Sequence, residues 1–201
     1  MAEVEARHWW GVGRRRIVDH LIAALGLPAD ATILDAGCGT GGNLAMLARH
    51  GRVLAFELDP EARAIAAARS GLTIEPGQLP HALPAAAQRL DLVTLLDVLE
   101  HLDDDRAALQ GLFERLAPGG RVVVTVPALP ALWSRHDEAH HHRRRYRKGE
   151  LVARARAAGF EIDLVSYYNF WLFPALAGVR LVDTLVKRGV DDGLSVPPAP
   201  L

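Results

Sequence analysis

The sequence predicts an α/β fold in which a mostly parallel, doubly wound β-sheet carries helices on both faces. Short apolar segments alternate with helical segments from residue 31 to residue 126, which is typical of parallel strands joined by right-handed crossovers. The segment Leu92–Leu96 is apolar except for Thr94, as expected of a central strand covered on both faces. A glycine-rich stretch at residues 37–42 follows the first apolar segment, which indicates a sharp turn from strand to helix.

The individual elements follow from the spacing of apolar residues. A first helix is predicted over residues 13–26, because Ile17, Leu21 and Leu25 share one face and Gly26 ends it. Five strands are predicted at residues 31–35, 53–56, 72–74, 92–96 and 121–126. The helices between them are predicted at residues 44–50, 60–70 and 103–116.

Beyond Val126 the pattern loosens for roughly twenty residues, a length that indicates a functional loop or a disordered segment. A helix is predicted over residues 148–158, a last strand over residues 161–168, and a further helix over residues 173–188. The expected organisation is a single domain: a cap helix in residues 1–28, a core in 31–126, a loop in 127–149 and a C-terminal region in 150–201.

Composition narrows the class of protein. Half of the 201 residues are hydrophobic and 23% are charged, as in globular proteins. The net charge of −1 provides no general attraction to nucleic acid, so nucleic acid is not expected as a partner. The single cysteine, Cys38, excludes an internal disulfide. Without a recognisable signal peptide or an apolar run of about 20 residues, we expect a soluble cytoplasmic protein.

The glycine stretch is compatible with two kinds of nucleotide-like ligand. Gly37, Gly39 and Gly42 fit the G-x-G-x-x-G pattern of dinucleotide-binding folds, and Glu57 follows about 20 residues later as that pattern requires. Asp35, however, precedes the first glycine by two residues, where its carboxylate would repel a pyrophosphate and attract an ammonium group. The first observation favours an oxidoreductase, and the second favours a cofactor that carries an ammonium group.

A set of motifs resembles those of class I S-adenosylmethionine-dependent methyltransferases of the bacterial small-molecule type. The set comprises the loop Asp35-x-Gly37-x-Gly39-x-Gly41, Glu57, Gln78, Asp97 and His101. The resemblance covers residues 31–126 and implies a Rossmann-like fold. It also implies S-adenosyl-L-methionine as the cofactor and S-adenosyl-L-homocysteine as the product.

The resemblance also implies roles for individual residues. The glycine loop, with Gly41 as its third glycine, would hold the methionine part of the cofactor. Glu57 would accept hydrogen bonds from both ribose hydroxyls, since a carboxylate has two acceptor oxygens. Leu58 would lie against the adenine ring. The segment 96–101 would line the methyl-transfer site, with Asp97 binding the cofactor and His101 as a catalytic candidate. Because these two residues are four positions apart, their side chains could instead bond to each other.

The sequence departs from the family pattern in two places. Gln78 and Leu79 stand where the family usually has an aspartate that contacts the adenine amino group, although the glutamine carbonyl can accept the same bond. The family's sheet usually ends in a hairpin whose last strand is antiparallel. No second strand is visible after Tyr168, so that strand is expected to be missing.

The loop at residues 133–148 is rich in histidine and arginine. His136 and His140 have the spacing of zinc ligands on a helix, but the glutamate that a zinc protease needs is replaced by Asp137, so no metal is predicted. The basic run 143–148 is either a solvated face or a site for a phosphate, a carboxylate or a lipid headgroup. Similar loops occur in the bacterial members, which implies a substrate lid with His136, His140 and Tyr146 as catalytic candidates beside His101.

The function these observations predict is methyl transfer to a small-molecule or lipid-like acceptor. An oxygen acceptor is slightly favoured, and an anionic acceptor is left open. The alternatives are a nucleotide-cofactor oxidoreductase and a cofactor-binding module without activity. The tandem residues Trp9 and Trp10 either pack on the core or form an aromatic lid. The apolar segment 170–179 either packs in the domain or contacts a membrane surface.

Overall fold

A computed structural model describes residues 9–168, and a sheet of five parallel strands forms its centre. The strands are β1 (Thr32–Ala36), β2 (Arg52–Glu57), β3 (Ile74–Pro76), β4 (Leu90–Leu96) and β5 (Leu116–Thr125). Their order across the sheet is β3-β2-β1-β4-β5, and each neighbouring pair is parallel. The strand order reverses between β1 and β4, where open α/β sheets bind their ligands. The predicted doubly wound sheet is confirmed.

Helices precede the sheet, connect its strands and follow it. They are α1 (Trp9–Ala24), α2 (Leu44–Leu47), α3 (Pro60–Ser70), α4 (Asp105–Phe113), α5 (Arg135–Ala139) and α6 (Lys148–Ala157), with 3₁₀ turns at Leu99–His101 and Pro130–Leu132. Local sequence sets the ends of α3: the Asp59 side chain accepts a hydrogen bond from the amide of Ala62, and Gly71 ends the helix in a left-handed conformation.

The side chains of successive residues in β1 and β4 alternate between two buried clusters, as the two-residue repeat of a strand requires. The cluster beneath α1 contains Val18, Ile22, Ile33, Leu92 and Leu96. The cluster beneath α4 contains Leu34, Val93, Leu95, Leu109 and Leu112. The sheet is therefore the middle of three layers, and its carboxyl edge is left for a site.

Strand β5 is longer than predicted. Helix α4 ends at Phe113, and Leu116 already pairs with Leu90, so the expected turn at residues 118–120 lies inside the strand. A register shift between Leu90 and Leu92 accommodates these residues as an irregularity of the β4–β5 pairing. A Cβ atom on Gly120 would lie 2.6 Å from the Leu90 carbonyl oxygen, so only glycine fits this close approach.

The predicted strand at residues 161–168 is wrong. Leu164 is 65% exposed there, and within residues 161–168 the structure assigns no strand. Apolar residues in this stretch suggested a strand, but no strand between residues 9 and 168 pairs with it. The helix predicted over residues 173–188, the segment 170–179 and the side chains of Trp9 and Trp10 lie outside the described residues. Among the helices that are described, none is long and apolar enough to cross a bilayer.

Candidate functional site

Three neighbouring strands bring polar groups to one edge of the sheet. Strand β1 ends at the glycine loop, β2 ends at Glu57, and β4 ends immediately before Asp97. Because the three strands are parallel and adjacent, their carboxyl ends meet at the point where the strand order reverses. A separate cleft of about 910 Å³ lies at the opposite, amino end of the strands, near Thr32 and Arg52.

The three motif glycines have different surroundings, although each has a positive φ. A Cβ atom on Gly37 would lie 3.1 Å from the Val98 side chain, and one on Gly41 would lie 3.1 Å from Ala66 of α3. One on Gly39 would meet no atom of the described residues within 4 Å. Gly37 and Gly41 therefore allow close packing, whereas the backbone at Gly39 borders open space.

Glu57 connects the end of β2 to the glycine loop. Its Oε2 accepts a hydrogen bond of 2.8 Å from the Gly39 amide, and its Oε1 accepts one of 3.0 Å from the Asp59 amide. The neighbouring Leu58 is 60% exposed. The sequence prediction of an acidic residue at the end of the second strand is confirmed in position.

Asp35 is buried beneath the glycine loop, with 1% of its surface exposed. Its Oδ1 accepts a hydrogen bond of 2.7 Å from the Thr94 hydroxyl, while its Oδ2 has no hydrogen-bond partner within residues 9–168. Burial raises the pKa of Asp35 to about 6, and the Thr94 hydrogen bond and the charge of Arg14 oppose this rise. An acceptor atom is therefore left over for a donor that those residues do not supply.

Asp97 is held from two sides. Its Oδ1 accepts a hydrogen bond of 2.8 Å from the Thr125 hydroxyl of β5, and its Oδ2 pairs with the guanidinium of Arg14 from α1. The residue adopts a left-handed backbone with φ of 59°. The side-chain bond to His101 suggested by their spacing is not among these contacts. Instead, the first helix reaches the carboxyl edge of the sheet through Arg14.

Gln78 and Leu79 have opposite environments. Gln78 is exposed, and its backbone forms a bridge with Ala82. Leu79 is 4% exposed and packs in the cluster beneath α4, together with Phe56. The expectation that both residues face the cofactor therefore needs a correction: the Leu79 side chain belongs to the core.

Four histidines gather beyond the end of β4. The ring centroids of His101 and His142 are 4.9 Å apart, those of His136 and His140 are 4.3 Å apart, and 6.1 Å separates His140 from His142. Partial burial lowers the pKa of both His101 and His136, and neighbouring histidines add to this effect. The histidines predicted from the loop and from β4 are thus brought together by the fold, and His142 joins them.

Glu100 lies next to this cluster and is completely buried. Within the part of the chain that is described, neither of its carboxylate oxygens has a hydrogen-bond partner. Burial raises the pKa of Glu100 to about 7. Glu100 was covered only by the predicted segment 96–101, and His142 was not predicted as a site residue. The signal for Glu100 was its place beside His101 shortly after a buried strand, whereas the run of three histidines at 140–142 does not indicate which of them faces the site.

The arginine-rich part of the loop is largely internal. Arg145 donates to Asp137 over 2.7 Å, and Arg144 donates to the carbonyl groups of Leu102 and Asp103. Arg143 is exposed and lies 3.4 Å from Asp103. Arg143, Arg144 and Arg145 therefore do not form a continuous basic surface for a phosphate or a lipid headgroup.

Tyr146 is not in a position to act on a substrate. It is 2% exposed, and its hydroxyl lies 2.6 Å from Oδ2 of Asp105 and 3.2 Å from the carbonyl oxygen of Leu99. Burial and the contact with Asp105 raise the pKa of Tyr146 above its ordinary value. The expectation that it is catalytic is corrected: Tyr146 connects the loop to α4.

Comparison with known proteins is consistent with this site. A profile of the methyltransferase domain family matches residues 10–165. The chain is 29% identical to the trans-aconitate 2-methyltransferase of Azoarcus sp. (strain BH72), over 89% of this chain and 70% of the relative. It is 28% identical to a ubiquinone biosynthesis O-methyltransferase of Xanthomonas axonopodis pv. citri, over 83% and 82% of the two chains.

A solved methyltransferase structure is similar to this chain in sequence and fold. The TehB-like S-adenosylmethionine-dependent methyltransferase of Corynebacterium glutamicum shares 27% identity and a TM-score of 0.57, over 72% of this chain and 73% of that one. The profile and these relatives are methyltransferases, which overturns the oxidoreductase alternative. The chain therefore belongs to the class I S-adenosylmethionine-dependent methyltransferases.

Proposed function

We propose that this enzyme methylates a small organic acceptor on an oxygen atom, and that the acceptor lies between the glycine loop and the histidine cluster. One observation carries the proposal. The open backbone face of Gly39 and the Glu57 carboxylate lie at the reversal point of the sheet, and four histidines lie beyond the adjoining strand β4. This arrangement provides a cofactor side and an acceptor side at one edge.

The residues at the edge fit S-adenosylmethionine. The unpartnered Oδ2 of Asp35 suits the ammonium group of the cofactor, and the open space at Gly39 allows the methionine part to approach the backbone. Each oxygen of Glu57 accepts one hydrogen bond from a backbone amide. Because a carboxylate has about four acceptor positions, Glu57 can still accept hydrogen bonds from two ribose hydroxyls. Exposed Leu58 and Gln78 would contact the adenine.

The chemistry divides between cofactor and protein. S-adenosylmethionine supplies a methyl group on a sulfonium, which is already a good leaving group, so the protein mainly has to orient the acceptor. His136 and His140 are exposed at the rim of the cluster and are our candidates for the base that takes the proton of an oxygen acceptor. The name of one relative includes O-methyltransferase and that of another trans-aconitate, which supports an oxygen atom and an organic acid.

The direct test is a methyl-transfer assay. The purified chain would be incubated with S-adenosylmethionine and a panel of aliphatic carboxylic acids, phenols and amines, while formation of S-adenosylhomocysteine is measured. We expect turnover with an oxygen acceptor. Turnover with amines alone would contradict the choice of acceptor atom, and binding of the cofactor without turnover on any acceptor would support the inactive module. Adding lipid vesicles to the same assay tests the membrane contact and the lipid-like acceptor.

The cofactor side has its own test. We expect Glu57→Ala to weaken the binding of S-adenosylhomocysteine by about 1.5–3 kcal/mol, because hydrogen bonds to a charged group are lost. Glu75→Ala is the matched control, since it removes an exposed carboxylate from the neighbouring strand β3. Titration calorimetry of both variants checks the difference, and equal affinities would contradict the role of Glu57.

A further inference from the structure

We propose that Glu100, His101 and His142 bind one divalent transition-metal ion of the zinc type. Each of the three offers one ligand atom, and these atoms all lie within 4.8 Å of one another. The residues come from two segments, the 3₁₀ turn after β4 and the turn after α5. The Arg143 amide donates a hydrogen bond of 2.7 Å to the Glu100 carbonyl, which fixes the two segments side by side.

The Glu100 side chain is the strongest indication of a ligand. A buried carboxylate is normally hydrogen-bonded or paired, because removing it from water without a partner is costly. Glu100 is completely buried, yet both of its oxygens lack a hydrogen-bond partner among the residues that the structure describes. A cation held between Glu100 and the two histidines would supply the missing partner.

His142 is oriented as histidines that bind metals usually are. Nδ1 of His142 lies 3.0 Å from Oδ1 of Asp137, a fully buried carboxylate. The same oxygen accepts a hydrogen bond of 2.7 Å from Nε of Arg145, and Oδ2 accepts one of 2.8 Å from the Ser134 amide. A carboxylate that faces these donors acts as an acceptor, so Nδ1 of His142 is the donor and Nε2 keeps its lone pair for a metal.

The donor set points to the class of metal. Magnesium and calcium prefer sites made entirely of oxygen atoms, whereas two imidazoles and one carboxylate suit Zn²⁺ and its neighbours. Three protein ligands also leave a coordination position open, as in catalytic zinc sites. In a tetrahedral site with metal–ligand bonds of about 2.0–2.1 Å, the ligand atoms lie about 3.3 Å from one another. Binding would therefore require side-chain rotations that move the ligand atoms by roughly 1 Å.

The proposed ion deepens the proposed function, on which its chemical role rests. A divalent cation beside an oxygen acceptor stabilises the negative charge that develops as the acceptor loses its proton. His136 and His140 remain available at the exposed rim to receive that proton. The metal would thus sit on the acceptor side of the site, away from the glycine loop and Glu57.

The experiment is a metal titration of the full chain after treatment with a chelator. Co²⁺ serves as the visible probe, because its absorption bands report tetrahedral coordination by protein ligands, and Zn²⁺ is titrated by calorimetry. We expect one equivalent to bind to the wild type and to raise its melting temperature. Glu100→Gln and His142→Ala should each reduce the metal affinity by about 100-fold or more, and the metal should no longer raise the melting temperature of Glu100→Gln.

Two controls separate this site from adventitious binding by histidines. His81→Ala removes an exposed histidine outside the cluster and should leave the affinity unchanged. If His136→Ala or His140→Ala reduces the affinity more than Glu100→Gln does, the exposed histidines bind the metal and the proposal is overturned. Failure of the wild type to bind one equivalent overturns it as well.

S-adenosylhomocysteine is titrated into the same samples. Glu100→Gln should bind it as the wild type does, which also shows that the variant is folded. Loss of metal binding in Glu100→Gln with S-adenosylhomocysteine binding intact supports the proposed site. If the wild type binds metal but not S-adenosylhomocysteine, the assignment of the cofactor side fails, whereas the metal site stands.

Discussion

Gly39 and Gly71 share a left-handed backbone, with φ of 54° and 70°, and in both cases an added Cβ atom meets nothing in the described structure within 4 Å. Gly39→Ala and Gly71→Ala should therefore lower the free energy of unfolding by the same ~1–2 kcal/mol. Only Gly39→Ala should also weaken S-adenosylhomocysteine binding, by about tenfold or more (~1.4 kcal/mol), because its methyl group occupies ligand space. Urea unfolding and calorimetry of both variants check this; equal affinities would place the ligand elsewhere.

Asp35 predicts a pH dependence of binding. Its pKa of about 6 in the fold lies above the ordinary 3.8, because the buried carboxylate is less stable than a solvated one. Ionisation of Asp35 therefore lowers the stability of the fold. This loss is absent below pH ~4 and complete above pH ~6. An ammonium group prefers the ionised form, so S-adenosylhomocysteine affinity should rise between pH 5 and pH 7. Asp35→Asn should weaken binding at pH 7 and flatten the profile, whereas the exposed control Asp163→Asn should keep it. Calorimetry at four pH values measures the S-adenosylhomocysteine affinity of each variant. Identical pH profiles for Asp35→Asn and the wild type would contradict the assignment of Asp35 to the ammonium group.

Single residues could be predicted from sequence where a motif fixes them relative to a strand. Glu57 and the motif glycines lie where their spacing from β1 and β2 requires. Tyr146 and Leu79 were assigned to the site wrongly, because whether a residue of a loop is buried depends on the elements that pack over it. The pairing of Arg14 with Asp97 joins residues 83 positions apart, which no local pattern indicates.

At the scale of elements, a buried network around Asp105 connects α4, α6 and the loop. Asp105 accepts hydrogen bonds from Tyr146 and Arg154, and Arg144 also pairs with it. Tyr146→Phe should therefore lower the free energy of unfolding by about 1–3 kcal/mol, because a buried carboxylate loses a donor. Methyl transfer should change less than about threefold. Tyr167→Phe, at an exposed tyrosine, should change neither quantity. Chemical unfolding and initial rates check this; a rate loss at unchanged stability would restore a catalytic role.

The network also has a pH consequence. Burial acts to raise the pKa of Asp105, but the hydrogen bonds from Tyr146 and Arg154 outweigh it, and the pKa lies below its ordinary value. Its contribution to stability is therefore present above pH ~4 and is lost as the pH falls through the lowered pKa. Acid unfolding should begin at a higher pH in Tyr146→Phe than in the wild type.

The elements themselves were predictable to the extent that apolar spacing reflects burial. Each of the five strands and the helix α6 overlaps its predicted range, although β3 lies at Ile74–Pro76, two residues beyond the predicted 72–74. The strand at residues 161–168 was wrong because spacing does not reveal whether a partner strand exists. The start of β5 was missed because Pro118-Gly119-Gly120 is typical of a turn, and only the pairing with Leu90 places it within a strand.

At the scale of the molecule, α1 is fixed to both edges of the sheet. At the amino edge, Asp19 accepts hydrogen bonds from His50 and Arg49, each over 2.7 Å, and chiefly the bond from His50 lowers the pKa of Asp19. At the carboxyl edge, Arg14 pairs with Asp97. The helix therefore connects a structural contact at one end with the candidate site at the other.

Loss of one contact should weaken cofactor binding, whereas loss of the other should not. Arg14→Leu keeps the apolar stem but removes the charge that holds Asp97, so S-adenosylhomocysteine affinity should fall about threefold to tenfold (~0.6–1.4 kcal/mol), a modest range because Asp97 is one-third exposed. Asp19→Asn loosens the same helix at the far edge and should change the affinity less than about twofold. Calorimetry gives the affinities, and hydrogen exchange of α1 gives its local stability. If both variants loosen α1 and weaken binding equally, the helix acts only through stability. If Arg14→Leu alone weakens binding, the first helix sets the position of Asp97, and with it the cofactor edge of the sheet.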